Sequence, residues 1–290
     1  MRILLTGGAG DLGLVLSTEL EKRGDIPVRI DVREPINNRG VYIKGSILDR
    51  PLLKQSMEGV DCVVHIAAWH GFHEFTKQKD VYEFWDLNAT GTFYVLQTAV
   101  EAGIQKIVHI SSESVLDWSG IYGHTKVLGE EMVRAYAKRH GLEIITLRPR
   151  AFIPYWNKDV YQSYLEWAQW FWKGAVHIND VNQSVIQAID LLAQKSLPSP
   201  LTLTVDGAYE YTDDDLENWD ADGAGSTFKK YYAKYYDLVI QYGLDPAKKP
   251  DILDIRETRQ QLGYEPQYSL KNLLMELEQF GVDGPPSPTF

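Results

Sequence analysis

Short apolar segments alternate with amphipathic helical segments through the first two thirds of the chain. Parallel strands need crossover connections, which are usually helices, so this strict alternation predicts an α/β fold with a Rossmann-type, doubly wound parallel sheet. Strands are predicted at residues 2–6, 28–32, 62–67, 106–111, 143–148 and 201–205. Helices, from the 3.6-residue spacing of apolar side chains, are predicted at residues 12–20, 81–102, 121–139 and 176–193.

The alternation breaks after Arg148. Residues 154–173 are crowded with tyrosine and tryptophan, which we expect to pack in a core or an interface, with one or two rings lining a binding site. Residues 206–249 form an acidic, tyrosine-rich stretch with a helix predicted at 228–242. The composition therefore indicates a second structural unit.

The predicted organisation is a cofactor-binding Rossmann domain and a smaller, discontinuous substrate-binding lobe. The Rossmann domain covers residues 1–154 and is completed by 176–206, and the lobe comprises 155–175 and 207–290. The lobe ends with a helix predicted at 270–280 and a Pro-rich tail that we expect to be loose.

The net charge and the single cysteine limit the partners and the compartment. Phosphate binding needs a basic face, so a net charge of -11 argues against nucleic acid and against an anionic membrane surface. No apolar run approaches the roughly 20 residues of a membrane helix, and residues 3–5 are too short for the apolar region of a signal peptide. Cys62 has no partner for an intramolecular disulfide. We therefore expect a cytoplasmic protein that acts on a small molecule.

Gly7, Gly10 and Gly13 follow the first predicted strand in a G-x-x-G-x-x-G pattern and open the first helix. Glycine permits a tight turn, close approach of the backbone to a pyrophosphate, and close packing of helix on strand. The helix N-terminus supplies free N–H groups and a positive dipole end for the phosphates. In this strand–turn–helix context the pattern predicts a dinucleotide site.

Asp31 lies at the end of the second predicted strand. A carboxylate there accepts hydrogen bonds from the ribose hydroxyls of NAD and repels the 2′-phosphate of NADP, so NAD is the predicted cofactor. Arg33, two residues on, keeps NADP open as the alternative.

Tyr122 and Lys126 form a Y-x-x-x-K pair at the start of a predicted helix, on one helix face. A lysine and a helix N-terminus beside a phenol both stabilise tyrosinate, so we expect Tyr122 to act as a base near neutral pH. Ser112 follows the preceding strand, where its hydroxyl can polarise a carbinol or carbonyl oxygen. The three residues predict hydride-transfer chemistry at an alcohol carbon.

Several motifs occur together in an order that resembles the extended short-chain dehydrogenases, and in particular the NAD-dependent epimerase/dehydratase family. They are Gly7-Gly-Ala-Gly-Asp-Leu-Gly13, Asp31, His65-Ile-Ala-Ala68, Asn88-Ala-Thr-Gly-Thr92, Ser111-Ser112, Tyr122-x-x-x-Lys126, Leu147-Arg-Pro149, Val176-His-Ile-Asn-Asp-Val181 and Leu262-Gly-Tyr-Glu-Pro-Gln-Tyr-Ser-Leu270. The resemblance spans nearly the whole chain.

The resemblance implies that Ser112, Tyr122 and Lys126 are catalytic and that Lys126 also holds the nicotinamide ribose. It also implies a homodimer formed through the helices at 81–102 and 121–139. The cofactor contacts that it implies are Gly7, Gly10, Asp11, Leu12, Gly13, Asp31, Ala67, Ala68, Asn88, Tyr122 and Lys126.

The chain departs from the family pattern at positions that bear on the substrate. Ala151 stands where sugar-nucleotide epimerases usually have an asparagine that contacts the diphosphate, and the segment 112–122 is short. Glu113-Ser114 replaces the Asp-Glu pair of the family's dehydratases, and Asp11 replaces the usual aromatic residue. These departures favour a substrate without a nucleoside diphosphate.

His70, His73 and Glu74 form a polar cluster just after the third predicted strand, at the edge of the sheet where such folds bind ligands. We expect these three residues to contact the substrate, together with Glu113 and Arg150. No further ligand set accompanies the histidines, so no metal site is predicted.

The predicted function is NAD-dependent oxidation or reduction at a secondary alcohol or keto carbon of a carbohydrate-like substrate: a free sugar, a glycoside or a sugar acid. One alternative is a sugar or nucleotide-sugar epimerase that retains NAD. The other is a non-catalytic, NAD-sensing regulatory protein, against which the presence of Ser112, Tyr122 and Lys126 argues.

Overall fold

Seven parallel strands form one sheet in the computed structural model, which describes residues 1–117, 120–194, 196 and 199–290. The strand order is β3-β2-β1-β4-β5-β6-β7, so the chain starts in the middle and winds outward in both directions. The strands are β1 (Arg2–Thr6), β2 (Ile26–Asp31), β3 (Val41–Lys44), β4 (Cys62–His65), β5 (Lys106–Ile110), β6 (Glu143–Pro149) and β7 (Leu201–Val205). The predicted Rossmann-type, doubly wound sheet is confirmed.

Helices cover both faces of the sheet and build the lobe. They are α1 (Asp11–Lys22), α2 (Arg50–Ser56), α3 (Gly71–Phe75), α4 (Val81–Phe84), α5 (Gly91–Glu101), α6 (Ile121–His140), α7 (Tyr164–Phe171), α8 (Ile178–Gln194), α9 (Asp213–Glu217), α10 (Ser226–Tyr232), α11 (Tyr236–Gln241), α12 (Arg256–Leu262) and α13 (Leu270–Phe280). Within the described ranges, no helix is long and apolar enough to cross a membrane.

The sheet is buried on both faces, which explains why its strands are nearly continuous apolar runs. In β1, Ile3 and Leu5 pack against α1 and α8, whereas Leu4 packs against α2, α5 and α6. Alternate side chains of a strand point to opposite faces, so one apolar run contributes to both cores.

Two local features differ from the sequence prediction. Strand β3 was not predicted, because this four-residue edge strand, Val41–Lys44, is only partly buried and lacks a long apolar run. The helix predicted at 81–102 has the expected extent but contains one wide turn, a π-helix at Trp85–Thr90 between α4 and α5. Such turns are frequent at functional sites, and Asn88 lies in this one.

The aromatic residues of the lobe form its core. Tyr164, Trp167 and Phe171 of α7 are buried and pack with side chains of α10, α11 and α13. Several phenols donate hydrogen bonds to carboxylates, as Tyr164 and Tyr268 do to Glu276, so tyrosine and acidic residues are used together. The expectation of core packing holds for these rings, and Phe171 and Tyr268 also line a cavity within the lobe.

The C-terminal tail is packed onto the lobe, so the prediction of a loose tail is wrong. The Tyr155 hydroxyl donates to the carbonyl of Pro286 at 2.8 Å, and the rings of Trp156 and Phe290 lie 5.7 Å apart. A Cβ at Gly284 would lie 2.2 Å from the ring of Tyr164, so this residue is pressed against the aromatic core.

Three buried histidines are held neutral by their surroundings. His65 and His109 stack in neighbouring strands with ring centroids 5.9 Å apart, and His65 is bonded to the hydroxyls of Thr6 and Thr92. Burial lowers the pKa of His109 to about 3 and that of His177 to about 4, and it lowers the pKa of His65 well below its ordinary value.

We expect the protein to lose stability in mild acid. The unfolded chain binds protons at these histidines below a pH of about 6.5 while the folded chain does not, so each histidine lowers the free energy of unfolding by up to about 1.4 kcal/mol per pH unit. Urea unfolding at pH 7, 6 and 5 measures this dependence. The free energy of unfolding of His177→Gln should fall less steeply with decreasing pH than that of the wild type. Equal pH dependences would contradict the assignment of the loss of stability to the buried histidines.

Candidate active site

The candidate site lies along the edge of the sheet where the parallel strands end. The glycine loop follows β1, residues 66–75 follow β4, Ser112 follows β5, and Arg150 follows β6. Because parallel strands share a direction, these segments converge on one crevice.

The glycine loop lies flush against its neighbours and forms a cradle for phosphates. Gly7 has a φ of +70°, and a Cβ there would lie 2.9 Å from the backbone of Ala67. A Cβ at Gly13 would lie 2.6 Å from the backbone of Gly8, so the first turn of α1 packs directly on the loop. Gly10 precedes α1 and has no side chain to cap its N-terminal amides, which suits an anion. The loop therefore fits the pyrophosphate of a dinucleotide.

The carboxylate of Asp31 is buried beside this loop. It accepts hydrogen bonds from the backbone amides of Ala9 at 3.0 Å and of Arg33 at 2.9 Å. Asp31 thus orders the loop, and each of its oxygens retains acceptor capacity for a ribose hydroxyl. The Arg33 side chain is 67% exposed, with its Nε 4.0 Å from the Asp31 carboxylate.

The side chain of Asp11 makes a contact that the sequence did not predict. Its carboxylate accepts a hydrogen bond of 2.8 Å from the Asn157 amide, which joins the start of α1 to the segment after β6. Burial raises the pKa of Asp11, and the hydrogen bond from Asn157 opposes this increase. The cofactor contact that the resemblance implies at Asp11 would therefore be made by its backbone. The same holds for Leu12, whose side chain lies in the core.

Ser112, Tyr122 and Lys126 come together as the sequence predicts. The Ser112 side chain acts on the Tyr122 phenol and lowers its pKa, and the Lys126 ammonium lies 5.8 Å from the centre of the Tyr122 ring. Lys126 also donates to the carbonyl of Ile110 at the end of β5, at 2.8 Å. The arrangement presents a hydroxyl, a phenol and an ammonium group in one place.

A buried ion pair fixes the helix that carries Tyr122 and Lys126. Glu130, one turn after Lys126 on α6, accepts hydrogen bonds from Arg148 Nε at 2.8 Å and Nη2 at 2.5 Å, and from the Ser111 hydroxyl at 2.6 Å. Burial acts to raise the pKa of Glu130, but the hydrogen bonds from Arg148 and Ser111 bring it below its ordinary value. The ion pair therefore joins α6 to the ends of β5 and β6.

The pKa of Tyr122 differs in direction from the sequence prediction. Burial raises it to about 12, and the hydrogen bond from Ser112 only partly offsets this increase. Burial also lowers the pKa of Lys126 to about 8. The groups of the chain therefore leave Tyr122 protonated and Lys126 charged at neutral pH, so Tyr122 is prepared to donate a proton.

His70 and His73 lie beside Tyr122, as predicted for the substrate side. Their ring centroids are 4.1 Å apart, and a Cβ at Gly71 between them would lie 3.4 Å from the Tyr122 ring. Burial lowers the pKa of His70 to about 3 and lowers that of His73 as well. Both imidazoles are neutral and can form hydrogen bonds with a polar ligand.

Asn88 and Glu74, predicted to contact the cofactor and the substrate, form hydrogen bonds with other residues of the protein. The side-chain amide of Asn88 donates to the carbonyl of Trp69 and to the Thr125 hydroxyl, and accepts from the amide of Trp69. The carboxylate of Glu74 accepts hydrogen bonds from the amides of Ile121 and Tyr122, and its contact with substrate stays a prediction. Both residues hold other parts of the site in place.

Glu113 and Arg150 meet at the boundary between the sheet and the lobe. Arg150 Nε lies 3.3 Å from Glu113 and 3.7 Å from Asp206, and its Nη2 lies 3.4 Å from Asp251. Burial raises the pKa of Glu113, and Arg150 opposes this increase. Three carboxylates therefore already surround the charge of Arg150, and only 4% of its side chain is exposed.

Sequence reasoning missed Glu130, Asp206 and Asn157 as parts of the site. Glu130 follows Lys126 by four residues and Asp206 directly follows β7, so helical spacing and strand-end position were available signals. Asn157 lies in an irregular segment, and nothing in the sequence indicates its partner. No group of three or more possible metal ligands occurs among the described side chains.

Known proteins resemble this chain in sequence and in fold. The family model for the NAD dependent epimerase/dehydratase family matches residues 3–159. A uronate dehydrogenase of Pseudomonas putida is 26% identical over 171 residues, covering 53% of this chain and 62% of the relative. A UDP-glucose 4-epimerase of Erwinia amylovora is 29% identical over 183 residues, covering 53% of each. The chain thus spans between half and two thirds of these relatives.

Solved structures share the fold over nearly the whole chain. The UDP-glucuronic acid 4-epimerase of Bacillus cereus, in complex with UDP-glucuronic acid and NAD, has a TM-score of 0.70 and 21% identity, and the alignment covers 95% of this chain and 97% of the other. At this identity the likeness shows the fold alone. The family model, however, matches more than half of the chain, and the chain belongs to the NAD-dependent epimerase/dehydratase family, whose cofactor is NAD.

Proposed function

We propose that the protein is an NAD-dependent oxidoreductase that acts at a secondary alcohol or keto carbon of a carbohydrate-like substrate. The observation that carries this proposal is the placement of Ser112, Tyr122 and Lys126 together at the strand edge that also holds the glycine loop, with Lys126 5.8 Å from the Tyr122 ring. A non-catalytic sensor has no need for three such groups in contact. The 1–154 and 176–206 segments would bind NAD, and the remaining lobe would help to bind the substrate.

The residues of the chain supply proton transfer and orientation. When bound, NAD supplies the acceptor or donor of hydride. Tyr122 gives its proton to the carbonyl oxygen in reduction and takes it back from the hydroxyl in oxidation. Ser112 forms a hydrogen bond with the same oxygen, and the Lys126 ammonium favours the ionised phenol. The glycine loop and Asp31 would hold the pyrophosphate and the adenosine ribose, with Ala67 and Ala68 close by.

A substrate without a nucleoside diphosphate fits the charges on the substrate side. A diphosphate needs unpaired cationic donors. Arg148 is paired with Glu130, Arg150 with three carboxylates and Arg256 with Asp254, whereas the exposed Arg33 lies beside Asp31. His70, His73 and Glu113 instead offer neutral and anionic partners for hydroxyl groups. We therefore favour a free sugar, a glycoside or a sugar acid.

An epimerase that retains NAD is the second candidate. The observation in its favour is the fold, which matches a solved UDP-glucuronic acid 4-epimerase over 95% of the chain. A purified sample distinguishes the two candidates, since an epimerase is expected to release one NAD per chain on denaturation.

The proposal extends to a cytoplasmic homodimer. The surface of the α4–α5 region is consistent with the dimer. Val81, Tyr82, Trp85 and Phe93 are large apolar residues exposed on this region, and such patches mark interaction sites. Cys62 is buried in the sheet, which suits a reducing compartment. The molar mass in solution tests the dimer.

We expect Asp31→Ala to weaken NAD binding by about 1–3 kcal/mol, the range for hydrogen bonds to a charged group. The same change should narrow the preference for NAD over NADP, because the carboxylate that repels a 2′-phosphate is removed. Calorimetric titration with both cofactors measures the effect. Glu34→Ala is the matched control, since it removes an exposed carboxylate three residues away. Tighter binding of NADP than NAD by the wild type would contradict the preference.

We expect Tyr122→Phe to lower turnover by at least about a hundredfold while NAD binding stays nearly unchanged, because general acid–base catalysis contributes on this scale. Tyr136→Phe removes a phenol hydroxyl from the same helix, bonded there to Gln97, and should leave turnover intact. NADH formation with a panel of neutral sugars and sugar acids provides the assay. Wild-type turnover by the Tyr122 variant would show that another residue transfers the proton.

We expect free sugars or sugar acids to stabilise the NAD-bound protein against thermal unfolding. Nucleoside diphosphates should not stabilise it, because Arg148, Arg150 and Arg256 are already paired with carboxylates. Thermal unfolding with NAD and either UDP, dTDP or GDP, compared with free sugars and sugar acids, measures this. Stabilisation by a nucleoside diphosphate where free sugars have no effect would favour the epimerase.

A further inference from the structure

Glu74 reaches across the site to the first turn of α6. Its carboxylate accepts hydrogen bonds from the amide of Ile121 at 2.8 Å and from the amide of Tyr122 at 2.9 Å. Gly120 precedes the helix, and a Cβ there would lie 2.7 Å from the same carboxylate, so a larger residue would displace it. A side chain from α3 thus caps a helix that begins 47 residues after Glu74 in the sequence.

We propose that Glu74 is a positioning residue that holds the Tyr122 phenol in register with Ser112 and Lys126. The proposal rests on the proposed function, in which Tyr122 transfers the proton. It assigns to Glu74 an indirect role, through the backbone of the residue that reacts.

Among the described residues, two further anchors of α6 lie after Tyr122. Lys126 is bound to the carbonyl of Ile110, and Glu130 is bound to Arg148, so both fix the helix from its second turn onward. The first turn of a helix has free amides and frays unless they are capped. Glu74 supplies two charge-assisted bonds at that turn, one of them to Tyr122 itself.

The segment that carries Glu74 also contacts the ring of Tyr122. A Cβ at Gly71, at the start of α3, would lie 3.4 Å from Cδ1 of Tyr122, so the ring is packed against the backbone of this short helix. His70 and His73 hold the start of α3 through a reciprocal cap. The backbone and the ring of Tyr122 are thus both positioned by residues 70–74, and small displacements of a reacting group cost large factors in rate.

The test observes the Tyr122 phenol directly, without a substrate. The chain is labelled with ¹³C at the phenol carbon of tyrosine, NAD is added, and the Tyr122 resonance is assigned by its loss in Tyr122→Phe. Glu74→Ala, which removes both bonds, should shift and broaden this resonance. Glu74→Gln, which keeps one acceptor oxygen, should shift it in the same direction by less. Glu83→Ala is the matched control, since Glu83 is a capping carboxylate of α4, bound to Lys79 and the Asp80 amide.

Turnover with the sugar panel gives a second reading. Glu74→Ala is expected to lower kcat about tenfold with little change in KM or in NAD affinity, because the misplaced phenol affects the proton transfer and not the binding. A Tyr122 resonance identical to wild type in both Glu74 variants would overturn the proposal, and if Glu74→Ala does not fold, the Glu74→Gln spectrum decides. Wild-type turnover by Tyr122→Phe would refute the proposed function and not the placement of the ring by Glu74. The spectra of the Glu74 variants would still test that placement.

Discussion

The ion pair between Glu130 and Arg148 holds the reactive groups in place. Glu130 is buried on α6, and its carboxylate binds both the guanidinium from β6 and the Ser111 hydroxyl from the end of β5. Removing one partner of such a buried pair costs about 3–5 kcal/mol, because the other charge is left without compensation. Ser112 is next to Ser111 and Lys126 is one helical turn from Glu130, so the placement of Lys126 relative to Ser112 depends on this pair.

The same helix explains why the Tyr122 phenol is not ionised by the chain alone. The positive end of a helix dipole stabilises a nearby anion, and the sequence analysis counted on this effect for Tyr122. In the structure the carboxylate of Glu74 occupies that end of α6. Its charge compensates the dipole, while burial keeps the phenol neutral. The carboxylate of Glu74 thus leaves the Tyr122 phenol without stabilisation of its ionised form by the helix dipole. In the proposed role, the same carboxylate holds the ring in place.

Residues whose role depends on local spacing were predictable, and residues whose role depends on distant partners were not. Gly7, Gly13, Tyr122 and Lys126 lie at fixed offsets from a strand or a helix start, so the sequence indicated their location. The hydrogen bonds of Glu74 to α6 could not be predicted, because its partner amides lie 47 and 48 residues away in sequence. Strand β3 and the lobe were hard to predict for a related reason, since an edge strand is short and partly exposed and the aromatic side chains pack by tertiary contacts.

The substrate side is governed by how its charges are paired. Arg150 alone looks like an anion-binding residue, but Glu113, Asp206 and Asp251 surround it. A buried cation among three carboxylates has no net positive charge to offer a diphosphate, and releasing it would leave buried carboxylates unpaired. Hydroxyl groups have no such cost, because they both donate to a carboxylate such as Glu113 and accept from a neutral imidazole. The pairing of these charges is the physical basis of the proposal that the ligand is a polyhydroxy compound, and the residue types alone do not reveal it.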